Sequence, residues 1–309
     1  MGYKKLLAIG AVALLACISA EAQQAKSKPE TIQFKFSLPN GLTYVERQLT
    51  VRTATVEGRS ESQTRENETA TRYSVKQTPS GYDIVVTAIS AAAKRNGQPF
   101  ADPMVDAFKG ISLVYRIAEN GKFLELQGAE QAVQQIMAVT PDQIRPTMQK
   151  LLTVEALKAR AQSDWNARVP RFLSMSGEIG DAWASTDRAP LITGGEAIFY
   201  TVSALAGRAS CGNRSCVRVT LAYNTDPKQL SQEFGGSVSK MLDELGAKSV
   251  NFSDVEIVGG GEFLVDPETS MVQSERINRT MEMLISFPGQ GSARTTTKET
   301  RTVSFEYSE

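Results

Sequence analysis

Two β-patterned segments, roughly residues 196–206 and 216–224, face each other across Cys211 and Cys216. A chain that closes such a hairpin commits its second half to antiparallel sheet. The run Cys-Gly-Asn-Arg-Ser-Cys encloses four residues. In an oxidising compartment the pair is expected as a disulfide, adding about 2 kcal/mol by restricting the unfolded chain. A redox pair is disfavoured, because the spacing is not C-x-x-C and no helix start follows to stabilise a thiolate. Gly212 and Asn213 bring turn chemistry to the tip. Alternation predicts one buried apolar row, with Ile198, Tyr200 and Val202 against Val217, Val219 and Leu221. Upstream, Gly180-Asp181-Ala182-Trp183 leads into this half. Asp181 is expected to cap local amides and Trp183 to be a buried structural ring, rather than an acid beside a sugar platform.

The chemistry open to the chain is bounded by a count of zero histidines among 309 residues. That removes Ser-His and Cys-His nucleophiles, the usual general base and the commonest transition-metal ligand. Lysine plus arginine equals aspartate plus glutamate, 34 each. No basic stripe is present, so nucleic acid is not an expected partner. An enzyme, a cofactor and a bound metal are not expected.

The N-terminus reads as an export signal over residues 1–22. Lys4 and Lys5 precede an apolar run from Leu6 to Ala20, and Ala20-Glu21-Ala22 before Gln23 fits an A-x-A cleavage site. Leu14-Leu15-Ala16-Cys17 offers the alternative, a lipobox that would anchor the chain to a membrane through Cys17. Either way a periplasmic or extracellular location is expected, and no later stretch reaches the ~20 apolar residues of a spanning helix.

Past the leader, residues 23–128 read as a β-rich half. Strands alternate at Ile32 to Leu38, and a wet, charged segment at Glu57 to Thr71 makes an exposed hairpin or a loop. Ala91 to Pro103 reads as a loop, and Asn120-Gly121 as a hairpin turn. Residues 129–170 read as a helical block, with a helix start at Thr140-Pro141 and another capped by Thr153, whose Val154, Leu157 and Ala161 share a face. Residues 171–309 form a second β-rich half containing one long amphipathic helix, 227–245, with Leu230, Phe234, Val238 and Met241 in one stripe. The fold class is α+β: curved, mainly antiparallel sheet in two halves, with helices between them.

Weaker motifs read structurally. Gly259-Gly260-Gly261 lacks the Lys-Ser/Thr of a phosphate loop and reads as a turn or bulge between strands 251–257 and 262–265. Asp266 and Glu268 with Glu262 could ligate calcium, but an Asp-Pro turn is the simpler reading. A carboxylate-only glycosidase would need two facing acids across a cleft.

Phe108-Lys109-Gly110, Val114 to Ile117 and Asn120 to Gly128 resemble the first-half hairpin of a family of uncharacterised secreted bacterial proteins and lipoproteins. Gly180-Asp181-Ala182-Trp183 is similar to that family's V-G-D-S-W motif, with Ala182 in place of Ser. Val265 to Thr269 with Val272 to Glu275 resembles its D-x-x-T-G turn, with Ser270 in place of Gly. The resemblance implies an envelope location and a sheet covered by helices, similar in outline to periplasmic lipid and lipoprotein carriers. It implies no activity. The expected role is therefore binding of an apolar or lipoprotein-like ligand beneath helices 129–168. The alternative is a structural or interaction module that offers sheet edges to an envelope partner.

Overall fold

The computed structural model describes residues 31–101, 107–142, 145–191, 196–212, 214–244, 250–287, 289 and 291–308. The export signal, Cys17, Asn213 and Gly246 lie outside them. Residues 31–309 form one compact unit. Its strands are β1 (Ile32–Gln33), β2 (Thr43–Val56), β3 (Gln63–Thr78), β4 (Gly81–Arg95), β5 (Gln98–Pro99), β6 (Ser112–Ala118) and β7 (Phe123–Gln127). After the helices come β8 (Ser176–Gly177), β9 (Ala182–Pro190), β10 (Glu196–Cys211), β11 (Arg214–Thr225), β12 (Asn251–Val265), β13 (Val272–Phe287) and β14 (Gly291–Tyr307). The helices are α1 (Ala129–Val139), α2 (Arg145–Leu151), α3 (Val154–Arg168), α4 (Pro170–Leu173) and α5 (Pro227–Glu244).

Twelve strands make one antiparallel, open sheet in the order β7-β6-β4-β3-β2-β14-β13-β12-β11-β10-β9, with β5 added to β4. Along that order most neighbours are also sequence neighbours, so two meanders form from local hairpins. The β2–β14 pair is the exception. It joins the two meanders over thirteen residue pairs, from Thr295↔Val56 to Tyr307↔Tyr44. Among the described residues the strands of both β-rich stretches thus share this one twelve-stranded sheet, beside a separate two-stranded β1–β8 sheet. The seam has the longest sequence separation of these strand pairs.

Local chemistry places the hairpins. Gly81 sits at φ 140°, and a Cβ there would lie 2.1 Å from the Ile117 carbonyl, so only glycine fits that turn. The charged segment after β2 resolves into a short tip, and β3 begins at Gln63 with long wet strands on both sides. The alanine-rich stretch 91–95, expected as loop, continues β4 instead, because its register with β3 persists past a bulge at Ala70.

Two other expectations are corrected. The triple glycine is the middle of β12, with Gly259 opposite Tyr223 and Gly261 opposite Leu221. A Cβ on Gly259 would meet the Tyr223 ring at 2.5 Å, so glycine is needed for the ring to lie across the strand. In the disulfide hairpin, Val217, Val219 and Leu221 face the helices, but the matching β10 row is Leu205, Ser203 and Thr201. A bulge between Leu205 and Gly207 shifts the pleat by one and turns Ile198, Tyr200 and Val202 to the other face. Of the helix start expected at Thr140-Pro141, residues 143–144 lie outside the described residues; the Arg145 amide donates to the Pro141 carbonyl at 3.0 Å. The Thr140 hydroxyl donates back to the Ile136 carbonyl at 2.7 Å and closes α1.

All the helices that pack on the sheet do so on one face, here called the helix-bearing face. Thr153 caps α3 by accepting from the Ala156 amide at 3.1 Å. From there α3 buries Ala161 and Trp165 over β6, β7 and the start of β2, with Ile84, Ile117, Phe123 and Tyr44 beneath. Phe172 of α4 and Phe34 of the N-terminal segment cover Leu205, Val217 and Phe263. Separately, α5 sets Leu230 over Ala197, Val255 and Ile257. Asp226 caps α5, accepting from the amides of Lys228 and Gln229 at 2.9 Å each.

The buried indole is Trp165, at 7% exposure, with its ring N–H donating to the Gly121 carbonyl at 2.8 Å. Trp183 is only half-buried, packed at the border of the Phe172 core beside Gly177. Trp165→Ala is therefore expected to cost about 3–5 kcal/mol. Trp183→Ala should cost about half as much, contrary to the sequence expectation, and the two melting curves decide. Equal losses would contradict this assignment.

The Cys211–Cys216 disulfide is present at the hairpin tip, with a Cα separation of 5.8 Å. Since it closes a six-residue loop already held by the Ala209↔Cys216 and Cys211↔Arg214 pairs, Cys211→Ser/Cys216→Ser should lower the melting temperature by only several degrees. Complete unfolding of that variant would show that the staple does more than the local hairpin requires.

Candidate functional site

The register turns the helix-bearing face into a set of transverse rows, because directly paired residues share a face. Close to the helical cover, one row brings Tyr73, Tyr44 and Tyr307 side by side. Tyr44 and Tyr73 stack at 4.7 Å between ring centroids. Behind them lies a buried ionic cluster. Arg168, the last residue of α3, reaches down to Glu46 of β2 with two hydrogen bonds, Nη1 to Oε2 at 2.6 Å and Nη2 to Oε1 at 3.0 Å. The Tyr73 hydroxyl donates to the same Glu46 Oε2 at 2.9 Å. Arg168 Nε lies 3.9 Å from Glu275 Oε2 on β13, and Glu275 is in turn ion-paired with Arg301 of β14. Glu275 is 1% exposed, and its oxygens find these charges without a well-aligned hydrogen bond.

Burial alone would raise the Glu46 carboxyl. The charge and hydrogen bonds of Arg168, with the Tyr73 hydrogen bond and the Arg301 charge, outweigh it and hold the group below the usual carboxylate range. Burial raises the Tyr73 and Tyr44 phenols, with the Glu46 charge adding to it, and moves Tyr115 up to about 12. These tyrosines stay protonated at every physiological pH.

Beyond the cluster the β3, β2, β14 and β13 part of the face is not overlaid by any described helix, while toward β11 and β10 Leu221, Ser203 and Thr201 are buried, Leu221 in the core with Phe172. One row there runs Arg95, Arg65, Arg52, Glu299, Arg279, Gly259, Tyr223, Thr201 and Ser185. Glu299 accepts from Arg52 Nε at 3.0 Å and pairs with Arg279 at 2.8 Å. Burial pushes Glu299 up, but these two guanidinium groups hold it low. Arg95 sits 4.2 Å from the centroid of the Phe100 ring, and Arg65 lies 6.0 Å from the same ring. The adjacent row runs Asn67, Thr50, Arg301, Ile277, Gly261, Leu221, Ser203 and Trp183. In β12 this band separates Ile257, under α5, from Phe263, under α4. They are six residues apart, about 20 Å along the strand. Tyr223, Ile277 and Met281 are half-buried at its borders.

The residues singled out from sequence are dispersed. Asp181 accepts from the Glu178 amide at 2.7 Å, Gly180 takes φ 102°, and Trp183 stands at the end of the second row. Asp266 accepts from the Glu268 amide at 3.0 Å and pairs with Arg214 at 3.1 Å. Glu262 pairs instead with Arg218 on the opposite face. The three carboxylates do not converge, and no cluster of metal ligands occurs among the described residues. Ser270, standing where the resembled turn has Gly, does adopt a positive φ of 56°, and its hydroxyl donates to the Lys35 carbonyl at 2.7 Å. Glu46, Arg168, Glu275, Arg301 and the arginine row carry no local motif. Only strand register brings them together.

The opposite face is mostly polar and laced with exposed ion pairs such as Arg47–Glu306 and Arg116–Asp83. Near the β9 edge it carries an open depression of about 480 Å³ beside Tyr200, Val202 and Ala222.

No protein-family model matches the sequence, and no curated protein sequence does. Among solved structures the chain is similar to lipovitellin, described for its lipid–protein interactions, with a TM-score of 0.48 and 8% identity over 87% of this chain. The chain spans 25% of lipovitellin's length. It is also similar to DynF of the dynemicin pathway of Micromonospora chersina, with a TM-score of 0.19 and 8% identity over 91% of this chain and 92% of that one. A DUF1329 family protein from Desulfovibrio piger gives 0.13 and 9% over 86% and 84%. These likenesses are too distant to place the chain in any of those families.

Removing the Glu46 charge should strand Arg168. Glu46→Gln is expected to cost about 3 kcal/mol at neutral pH, as for a broken buried pair. Because the folded carboxyl titrates below its unfolded value, its contribution is full above about pH 5 and is lost as pH falls through the folded value. The gap between wild type and Glu46→Gln in melting temperature should therefore narrow on acidification. A gap independent of pH would contradict the ion-pair assignment.

Proposed function

We propose that this chain is a non-catalytic binding protein of the space outside the cytoplasm, and that its ligand lies in the uncovered band of the helix-bearing face. The observation that carries the reading is the arrangement of covers. Two cores, one under α3 and α4 and the other under α5, leave between them a band with half-buried Tyr223, Ile277 and Met281 and a floor of Gly259 and Gly261. The apolar ligand expected from sequence has its best surface there. Beneath helices 129–168 the space is filled by Trp165, Ala161, Val169 and their sheet partners.

A binding rather than a catalytic role is supported by the state of the acids. Glu46 and Glu299 are both held ionised by arginines, which removes them as proton donors near neutral pH. The disulfide supports an oxidising compartment. No helix among the described residues is long and apolar enough to cross a membrane. The alternative, an interaction module of the cell envelope, draws on the exposed Tyr200 and Val202 beside the edge strand β9.

Neutral N-phenyl-1-naphthylamine should bind with a rise in fluorescence. Ile277→Thr is expected to weaken it about five-fold, the equivalent of roughly 1 kcal/mol of lost apolar contact. Val202→Glu on the opposite face should leave it unchanged. Binding lost in Val202→Glu but kept in Ile277→Thr would move the site to the β9 edge and overturn this reading.

A further inference from the structure

Asparagine is followed by glycine at three places, Asn40-Gly41, Asn96-Gly97 and Asn120-Gly121, and each pair stands in an exposed or partly exposed turn between strands. We propose that Asn96-Gly97 is a self-modification site. There the Gly97 amide nitrogen closes on the Asn96 carboxamide and converts Asn96 to an aspartyl or isoaspartyl residue, while the fold holds the other two pairs back. This chemistry needs no ligand and stands whether or not the uncovered band binds one.

The step is an intramolecular substitution. The Gly97 nitrogen gives its proton to solvent hydroxide and attacks Asn96 Cγ. The new N–C bond closes a five-membered imide as the carboxamide C–N bond breaks and ammonia leaves. Water then opens the imide, at Cγ to give an aspartyl residue or at the Asn96 main-chain carbonyl to give the isoaspartyl linkage. One water is consumed and one ammonia released. Glycine suits the attacking position because no Cβ crowds its nitrogen. Negative charge builds on Oδ1 in the tetrahedral stage, where a backbone N–H aimed at that oxygen stabilises it. Asn96 Oδ1 already accepts from the Thr64 amide at 2.8 Å. The Asn96 amide donates back to the Thr64 carbonyl, also at 2.8 Å, so the carboxamide is held against its donor.

Asn40 and Asn120 have such donors too, the amides of Gln77 at 2.9 Å and Lys122 at 3.1 Å. The glycine amide therefore decides between the three. To attack, it must swing toward Cγ and break any hydrogen bond it makes. The Gly41 amide donates to the Val75 carbonyl at 3.0 Å, and the Gly121 amide to the Ala118 carbonyl at 2.9 Å. Gly121 is held further, since its carbonyl accepts from the Trp165 ring and it lies against Leu173 and Phe36. Among the described residues the Gly97 amide donates to none, and both Asn96 and Gly97 are exposed to the water that opens the imide. Asn96 is also the one asparagine of the three at a positive φ, 50°. The isoaspartyl product adds a carbon to the main chain and moves the former Oδ1 carbonyl into it. That breaks the paired contact with Thr64 and releases the start of β3 from the β4–β5 turn.

The test ages the full chain in warm, mildly alkaline buffer and follows each asparagine by peptide mass spectrometry, which reads the one-unit mass gain and the isoaspartyl fragments. Asn96 should convert about five-fold faster than Asn40 or Asn120, the rate equivalent of one net hydrogen bond. In urea-unfolded chain the three rates should come together, because the ranking belongs to the fold. Hydrogen exchange supplies a structural readout. The Thr64 amide, protected in fresh protein, should exchange faster once the isoaspartyl product has accumulated. Fresh Asn96→Asp keeps an acceptor oxygen and should retain that protection. Equal rates in the folded chain, or Asn40 or Asn120 converting first, would overturn the proposal. So would the same ranking in urea, which would make sequence its cause, or an Asn96 still intact in the folded chain when the unfolded chain has fully converted.

Discussion

The contact on which the rest of this structure depends is the reach of Arg168 from the end of α3 to Glu46 and, beyond it, toward Glu275. The sheet is two locally folded meanders joined at one non-local seam, β2 against β14. Glu46 lies on the first seam strand, Arg301 on the second and Glu275 on the strand beyond. One guanidinium thus ties the helical cover to both meanders at once. Such a buried pair adds little over a well-packed apolar substitute, but losing one partner is costly, because the other charge is left without water. It acts more as a register pin than as a source of stability. A one-residue slip of β14 on β2 would send Arg301 to the opposite face and leave Glu275 with one partner fewer.

That pin also decides where the cover ends. The tyrosine row and the Trp165 core lie on one side of it, and the arginine row lies on the other. The second cover, α5, begins farther along the same face, so the uncovered band is bounded on two sides and open across the strands. Glycines in the middle of β12 let the Tyr223 ring lie flat across the floor, keeping the band shallow. The opposite face, with its paired charges, is the one the sheet turns to water.

Much of the fold was legible in the sequence. The Asn120-Gly121 turn, the Thr153 cap and the cysteine hairpin each follow from local chemistry, whereas the alternation of Ile32 to Leu38 yields a strand only at Ile32–Gln33. What was hidden is non-local. The bulge at Leu205–Gly207 is a single extra residue that reverses the faces of β10, and no periodicity of Ile198, Tyr200 and Val202 could reveal it. The triple glycine read as a turn because glycine is usually punctuation; its role as the floor beneath Tyr223 depends on a strand thirty-six residues away in sequence. Trp165 continues the Val154, Leu157, Ala161 stripe by four residues, so its burial could have been read from spacing. The ionic cluster could not, since its four members come from four elements.

The most direct measurement is photo-crosslinking with an uncharged apolar probe that carries a diazirine, followed by peptide mass spectrometry. If the band holds the ligand, adducts fall on Tyr223, Ile277 and Met281. Adducts concentrated at Tyr200 and Val202 would place the ligand on the other face and contradict this reading.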